Sequence, residues 1–244
     1  MSRNVAADRA AWARLRERAS APYRGAGRFA WHFARGKIGH DPVFRHLFAA
    51  GLIPQGARVL DIGCGQGLLA SLLRAGAAMR AAGEWPPAWP PAPAPARITG
   101  IELMPRDVER ARGALGEDGR TSFVCGDMRT EPFPPSDTVV LLDVLHYVTH
   151  AEQDAVLRRV RDALVPGGRL LLRVGDAGRR RGFAISQWVD RLVCRARGHA
   201  APPVHGRPLA EWIAQLRRLG LQVEARPMSQ GTPFANVLLV AQRP

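Results

Sequence analysis

The chain has 244 residues, 46% of them apolar and 23% charged, with a formal net charge of +14. That length suits one domain with additions, and the composition supports a sizeable buried core, which excludes disorder of the whole. No run approaches the roughly 20 apolar residues of a membrane span. The charged start MSRNVAADRAAWARLRER has no apolar stretch of the secretory kind, so a cytoplasmic protein is expected. Cys64, Cys125 and Cys194 are odd in number and lack ligand spacing, which argues against a disulfide framework and a metal site.

The charge is unevenly placed: +7 over residues 1–50, 0 over 51–174, +4 over 175–200 and +3 over 201–244. Every positive side chain except Lys37 is arginine. Two readings stand. One is a coding bias toward Arg and Ala; the other is a basic surface for an acidic partner such as RNA, a phosphorylated carrier or an anionic membrane face.

In chain order, residues 5–20 and 22–35 read as helices, and 41–51 as a third, with Asp41 as N-cap and Pro42 at the first helical position. Residues 58–62 (RVLDI) form a short buried strand, followed by a glycine loop and a helix over 67–73. The stretch GEWPPAWPPAPAPA, 83–96, is too rich in proline for regular structure and reads as an exposed loop with polyproline II character. Strand 97–101, helix 106–115, strand 121–125, strand 137–142 and helix 151–164 follow. Pro166-Gly167-Gly168 stops that helix before a strand at 169–174. The last third adds helices near 184–197 and 208–219 and strands at 221–226 and 235–241, the two strands joined at Ser229-Gln230-Gly231 as a hairpin. Strand alternating with helix predicts an α/β fold with a doubly wound, mostly parallel sheet, and the hairpin makes one strand antiparallel.

The strongest motif is Val59-Leu-Asp-Ile-Gly-Cys-Gly-Gln-Gly67. Asp61 ends the first strand and Gly63, Gly65 and Gly67 follow at alternate positions. Glycines allow a tight strand-to-helix turn over which a ligand can lie without Cβ atoms in the way, and the helix start then faces the ligand's negative group. Leucine at 68 departs from the dinucleotide pattern, and the Gly-Lys-Ser/Thr of a phosphate loop is absent.

On these residues the chain resembles the class I S-adenosylmethionine-dependent methyltransferases, whose signature is acid-x-Gly-x-Gly-x-Gly. Glu102 ends the second strand, where the family places the acid that binds both ribose hydroxyls, and Leu103 follows it. Asp127 and Met128 follow the third strand, where the family contacts adenine. Leu164-Val-Pro-Gly-Gly-Arg-Leu170 matches the family's turn before strand five. The resemblance covers about 50–175 and the general pattern of 207–241. It implies a Rossmann-like seven-stranded sheet, S-adenosyl-L-methionine as cofactor, and a cofactor site drawn from Asp61, Gly63, Cys64, Gly65, Gly67, Glu102, Leu103, Asp127, Met128 and Asp143. The interval from Gly67 to Glu102 is longer than usual by about the Pro-rich segment. Segments 182–188 and 231–235 are similar to methyltransferases of bacterial aryl polyene pathways.

Methyl transfer needs alignment, exclusion of water and, for some acceptors, a base. Asp143, His146, Tyr147 and His150 follow strand four, and His146 is the preferred base because histidine titrates near neutrality; Tyr147 orients the acceptor. The expected domain plan is a helical cap over 1–50 and a methyltransferase domain over 51–244 carrying a helical lid at 177–206. Arg35, Lys37 and His40 are candidates to clamp a carboxylate or an acidic substrate. The apolar stripe Phe183, Ile185, Trp188, Val189, Leu192 and Val193 is a candidate lining for a small or carrier-bound, partly apolar acceptor. The competing functions are an RNA or protein methyltransferase using the basic flanks, and a non-catalytic binding module on the same fold. No Asn/Asp-Pro-Pro-Tyr motif follows strand four, and the intact glycine loop with Glu102 favours a working cofactor site.

Overall fold

The computed structural model describes residues 2–178, 204–229 and 235–244. The expected helix at 184–197, its apolar stripe and segments 182–188 and 231–234 lie outside the described residues. Seven strands form one sheet in the order β3-β2-β1-β4-β5-β7-β6. The chain divides into two compact units, Met1–Glu131 and Pro132–Pro244.

The first unit opens with α1 (Ser2–Ser20), a 3-10 turn (Ala21–Arg24), α2 (Arg28–His40) and α3 (Pro42–Ala49). Ala11, Leu15 and Ala19 recur every four residues of α1 and bury one face. The helix expected at 22–35 is instead split and shifted. Gly27 sits at φ 109°, which a right-handed helix cannot contain, so the regular turns begin at Arg28 and run on to His40. Asp41 caps α3, its carboxylate accepting from the Val43 N–H at 3.1 Å.

Strands β1 (Arg58–Ile62), β2 (Arg97–Glu102) and β3 (Thr121–Cys125) are parallel, with α4 (Leu68–Ala81) and α5 (Pro105–Leu115) as crossovers. Parallel pairing brings the carboxyl ends of the three strands to one edge of this unit. The Gly63 N–H donates to Ile101 O at 2.8 Å and the Gly126 N–H to Glu102 O at 3.0 Å, so the three following loops are tied together there.

The Pro-rich segment is not the exposed loop its composition suggests. Trp85 and Trp89 pack edge to face, Trp85 also meets Phe48 of α3, and Ala92 is buried. The Trp89 indole donates to Asp8 of α1, Trp85 Nε1 donates to Pro90 O at 2.9 Å, and Gly56 N–H donates to Ala94 O at 2.9 Å. Proline removes the backbone donors that a strand would need, but the two indoles bury apolar area and bind across it, turning the segment into a strap.

The second unit contains β4 (Ser136–Leu142), a 3-10 turn (Leu145–Tyr147), α6 (His150–Ala163), β5 (Leu164–Gly175), α7 (Leu209–Arg218), β6 (Gln222–Pro227) and β7 (Asn236–Gln242). β4 and β5 are parallel, and β7 runs antiparallel to both β5 and β6. The expected mixed sheet with one antiparallel strand is therefore the observed one. Thr149 and Glu152 form a capping box at the start of α6. β5 begins at Leu164, earlier than the helix-stop reading, because the Pro166-Gly167-Gly168 turn pairs with the C-terminus through Gly167 N–H to Arg243 O at 2.9 Å and Arg243 N–H to Gly168 O at 2.8 Å. Among the described residues no helix is long and apolar enough to cross a membrane.

Candidate active site

In the first unit, Gly63, Gly65 and Gly67 all adopt positive φ, at 74°, 54° and 78°. This part of backbone space disfavours residues with a Cβ, so the alternate glycines are demanded by the turn itself. Around Gly65 there is open space where a Cβ would stand, whereas at Gly67 a Cβ would meet the Phe123 ring at 3.0 Å and Ala111 at 3.2 Å. Gly65 therefore leaves room for a ligand, and Gly67 lets α4 and β3 pack closely. Gly100, which the sequence did not single out, has the same packing function. A Cβ there would stand 2.8 Å from Cys64 Sγ. The Cys64 side chain is thus buried against β2. Burial pushes its thiol pKa well up, with Asp61 and Glu102 adding to the effect, so it is a neutral thiol rather than a nucleophile.

Glu102 holds this loop. Its Oε2 accepts from the Gly65 N–H at 2.8 Å and its Oε1 from the Met104 N–H at 2.9 Å. One carboxylate thereby ties the glycine turn to the start of α5. Carboxylate oxygens offer about four lone-pair directions, so hydroxyl donors can share them with backbone donors. Asp61 is buried, and desolvation, with the Glu102 charge second, pushes its pKa up to about 7. Leu103 is 58% exposed, unusual for a large apolar side chain directly after a strand. Asp127 is half-buried and forks the Arg129 guanidinium, with Nε donating at 2.9 and 3.0 Å. That hydrogen-bonded arginine holds its carboxyl below the usual range. Met128 is half-buried beside it.

These groups fit S-adenosylmethionine. A buried carboxylate held near its titration point suits a cationic ligand, Glu102 suits a vicinal diol, and an exposed leucine and a half-buried methionine suit a flat apolar ring. Arg35, Lys37 and His40, the candidate clamp, each have partners inside the unit: Glu17, Asp41 at 2.8 Å and Gly36 O at 2.9 Å respectively.

In the second unit, Asp143 follows β4 at φ 59°. Its carboxylate takes two hydrogen bonds from Arg173 of β5, with Nε at 2.8 Å from Oδ1. The Arg173 side chain is 2% exposed. A guanidinium this deep requires a counter-charge. Arg173 was legible only as a charged residue inside an apolar strand, and its pairing with Asp143 was not. His146 lies on the 3-10 turn, its ring edge-on to Tyr147 at 4.1 Å between centroids. Burial pushes its pKa below the ordinary histidine value, with Asp143 opposing. Buried Gln153 donates to Leu145 O at 3.1 Å, Val148 O at 3.0 Å and His205 O at 2.7 Å, and His205 N–H donates to His146 O at 2.8 Å. His150 is exposed, with Nε2 3.3 Å from Gly206 O.

A family model described as a methyltransferase domain matches residues 60–170. The ubiquinone biosynthesis O-methyltransferase of Xanthomonas axonopodis pv. citri is 30% identical over 194 residues, covering 75% of this chain and 70% of that protein. The carboxy-S-adenosyl-L-methionine synthase of Chromohalobacter salexigens is 36% identical over 120 residues, covering 48% of this chain and 39% of that one. Among solved structures, human N-acetylserotonin methyltransferase in complex with SAM aligns with TM-score 0.57 at 19% identity over 86% of this chain and 53% of that chain. The N-methyltransferase NodS of Bradyrhizobium japonicum, in complex with S-adenosyl-l-homocysteine, aligns with TM-score 0.56 at 20% identity over 92% and 97% of the two chains.

Proposed function

The chain belongs to the class I S-adenosylmethionine-dependent methyltransferases, and from that premise we propose that it methylates a hydroxyl group of a small or carrier-bound, partly apolar acceptor. When bound, S-adenosylmethionine supplies an activated methyl group on sulfonium sulfur. The observation that carries the hydroxyl reading is His146. Burial lowers its pKa, so at neutral pH the ring is uncharged and competent to take a proton. Tyr147, packed against that ring, orients the acceptor. Open α/β sheets bind ligands outside the carboxyl ends of their strands; in the first unit Glu102 ends β2 and Asp127 follows β3 there, and in the second unit Asp143 and His146 follow β4. The name of the Xanthomonas relative supports an O-methyl acceptor. We assign residues 1–50 as a cap and 51–244 as the methyltransferase domain.

The basic N-terminal segment weighs less toward nucleic acid than its charge suggests. Arg18, Arg24, Arg35, Lys37 and Arg45 each pair with an acidic side chain within their own unit. Methyl-labelled S-adenosylmethionine, offered with a panel of phenols and catechols and separately with RNA at low and physiological salt, tests the reading. Transfer to a phenol with only a few-fold salt effect is expected. Transfer to RNA with a steep salt slope would overturn it.

Two expectations concern the cofactor. Glu102→Ala removes the ribose acceptors and the tie between Gly65 and Met104. It should weaken S-adenosylhomocysteine by about 1.5–3 kcal/mol, roughly ten- to a hundredfold. Unchanged affinity in a calorimetric titration would refute the placement. Asp61 gives a pH signature. Its folded-state pKa of about 7 lies above its ordinary value of 3.8, so its contribution to stability is present below 3.8 and lost as pH rises through about 7. A cationic ligand beside it pulls the proton off. At pH 6 the binding of S-adenosylmethionine should therefore release protons, seen as a dependence of the binding heat on buffer ionisation enthalpy. Asp61→Asn should remove that dependence.

A further inference from the structure

Three of the five residues of the glycine turn are glycine, so most of its backbone has no side chain of its own to hold it. Two hydrogen bonds at Gln66, one in each direction, tie it to the N-terminal helical segment. Tyr23, wholly buried at 0% exposure in the 3-10 turn between α1 and α2, donates its hydroxyl to Gln66 O at 2.9 Å. Gln66, 1% exposed, answers in the other direction, its Nε2 donating to Ala30 O of α2 at 2.9 Å. The partners are 43 and 36 residues apart in the chain. One turn along α4, Ser71 Oγ donates to Ala19 O of α1 at 2.6 Å.

The first of these bonds bears on the ligand-facing backbone through peptide planarity. Gln66 O and the Gly67 N–H belong to one rigid plane, which cannot turn at one end without turning at the other. Tyr23 grips the oxygen end, and the Gly67 N–H donates to Cys64 O at 3.0 Å at the other. The Cys64 oxygen that accepts this bond shares its own peptide plane with the Gly65 N–H, which Glu102 fixes at 2.8 Å. The planes on either side of the Gly65–Gln66 peptide are therefore held. Burial drives the Tyr23 pKa far up, outweighing a hydrogen bond with Ser71 that lowers it, which keeps the hydroxyl a donor at every working pH.

We propose that Tyr23 is a positioning residue for the cofactor: by anchoring the Gln66 carbonyl it sets the glycine turn in its binding shape and makes the N-terminal helices part of the cofactor site. The coupling is reciprocal. Whatever seats against the turn also steadies the 3-10 turn and α2 through the same two bonds.

The test uses S-adenosylhomocysteine as probe on the full chain. Tyr23→Phe keeps the ring packing but leaves a buried carbonyl without its donor, and should weaken binding about five- to thirtyfold. Gln66→Met removes the reciprocal bond at similar volume and should weaken it about three- to tenfold, which keeps the test alive should the first variant not fold. Trp89→Phe is the control. It removes another hydrogen bond to the N-terminal helices, the indole's donation to Asp8 in the strap, and should lower the Tm while leaving affinity within about twofold. Hydrogen exchange adds a readout that a merely structural tyrosine would not move: S-adenosylhomocysteine should protect residues 28–40 in the wild type and protect them less in Tyr23→Phe. Affinity within twofold of wild type for both Tyr23→Phe and Gln66→Met, measured well below their Tm, would overturn the proposal. A wild type that does not bind S-adenosylhomocysteine would instead overturn the cofactor assignment, and the positioning role with it.

Discussion

His146→Ala is expected to lower kcat by about 10²–10⁴-fold with little change in the KM for S-adenosylmethionine, the range for loss of a positioned general base. The imidazole is buried and its pKa is lowered. The neutral form therefore persists to more acidic pH than in an exposed histidine. The wild-type kcat should be flat around neutrality and fall only as pH drops through the lowered pKa, below 6.5. The sign for stability agrees. A histidine buried in its neutral form contributes stability above its unfolded pKa, and this is lost as pH falls through the folded one. The acid limb should disappear in His146→Ala. A variant that retains wild-type kcat, or an acid limb that persists without the imidazole, would assign proton removal elsewhere.

Asp143→Asn is expected to lower folding stability by about 3–5 kcal/mol, because it leaves a buried guanidinium without its counter-charge. Against a total of roughly 5–15 kcal/mol that is a large loss. Asparagine isolates the charge effect, since both residues tolerate the left-handed backbone that φ 59° requires. Arg173→Met should be milder. The carboxylate it abandons is 28% exposed and can be hydrated, whereas the arginine is 2% exposed and cannot. The double variant should regain much of the single-variant loss, as replacement of a buried ion pair by apolar packing often does. Urea unfolding of the four proteins closes the cycle. A loss below about 1 kcal/mol for Asp143→Asn would mean that the guanidinium finds another partner or water.

The strand ends and the loops after them were readable from local pattern. Asp61 with alternate glycines, Glu102 closing the next strand and Asp41-Pro42 opening a helix are each written within a few consecutive residues. They are dictated by backbone sterics and capping that act at that range. The hairpin of β6 and β7 was readable for the same reason, since two apolar runs stood close together with no helix between. Local pattern misled where a tertiary partner outweighed it. Residues 83–96 read as exposed because proline removes backbone donors, yet Trp85 and Trp89 bind them down. The helix at 22–35 read as continuous because its apolar residues recur well enough, yet Gly27 turns out of helical space.

The sequence by itself determined the parallel core and the glycine turn, because each depends on residues a few positions apart, and the family resemblance marked Glu102 as the acid that closes the second strand. Only the tertiary structure decided what holds those groups in place. Tyr23 meets Gln66 across 43 residues and Arg173 meets Asp143 across 30. Neither pairing leaves a local trace, since a tyrosine after a proline and an arginine in an apolar strand are equally compatible with solvent exposure. What selects the pairing is burial. Once folding removes water from a hydroxyl or a guanidinium, the cost of leaving it unpaired exceeds that of ordering a distant partner.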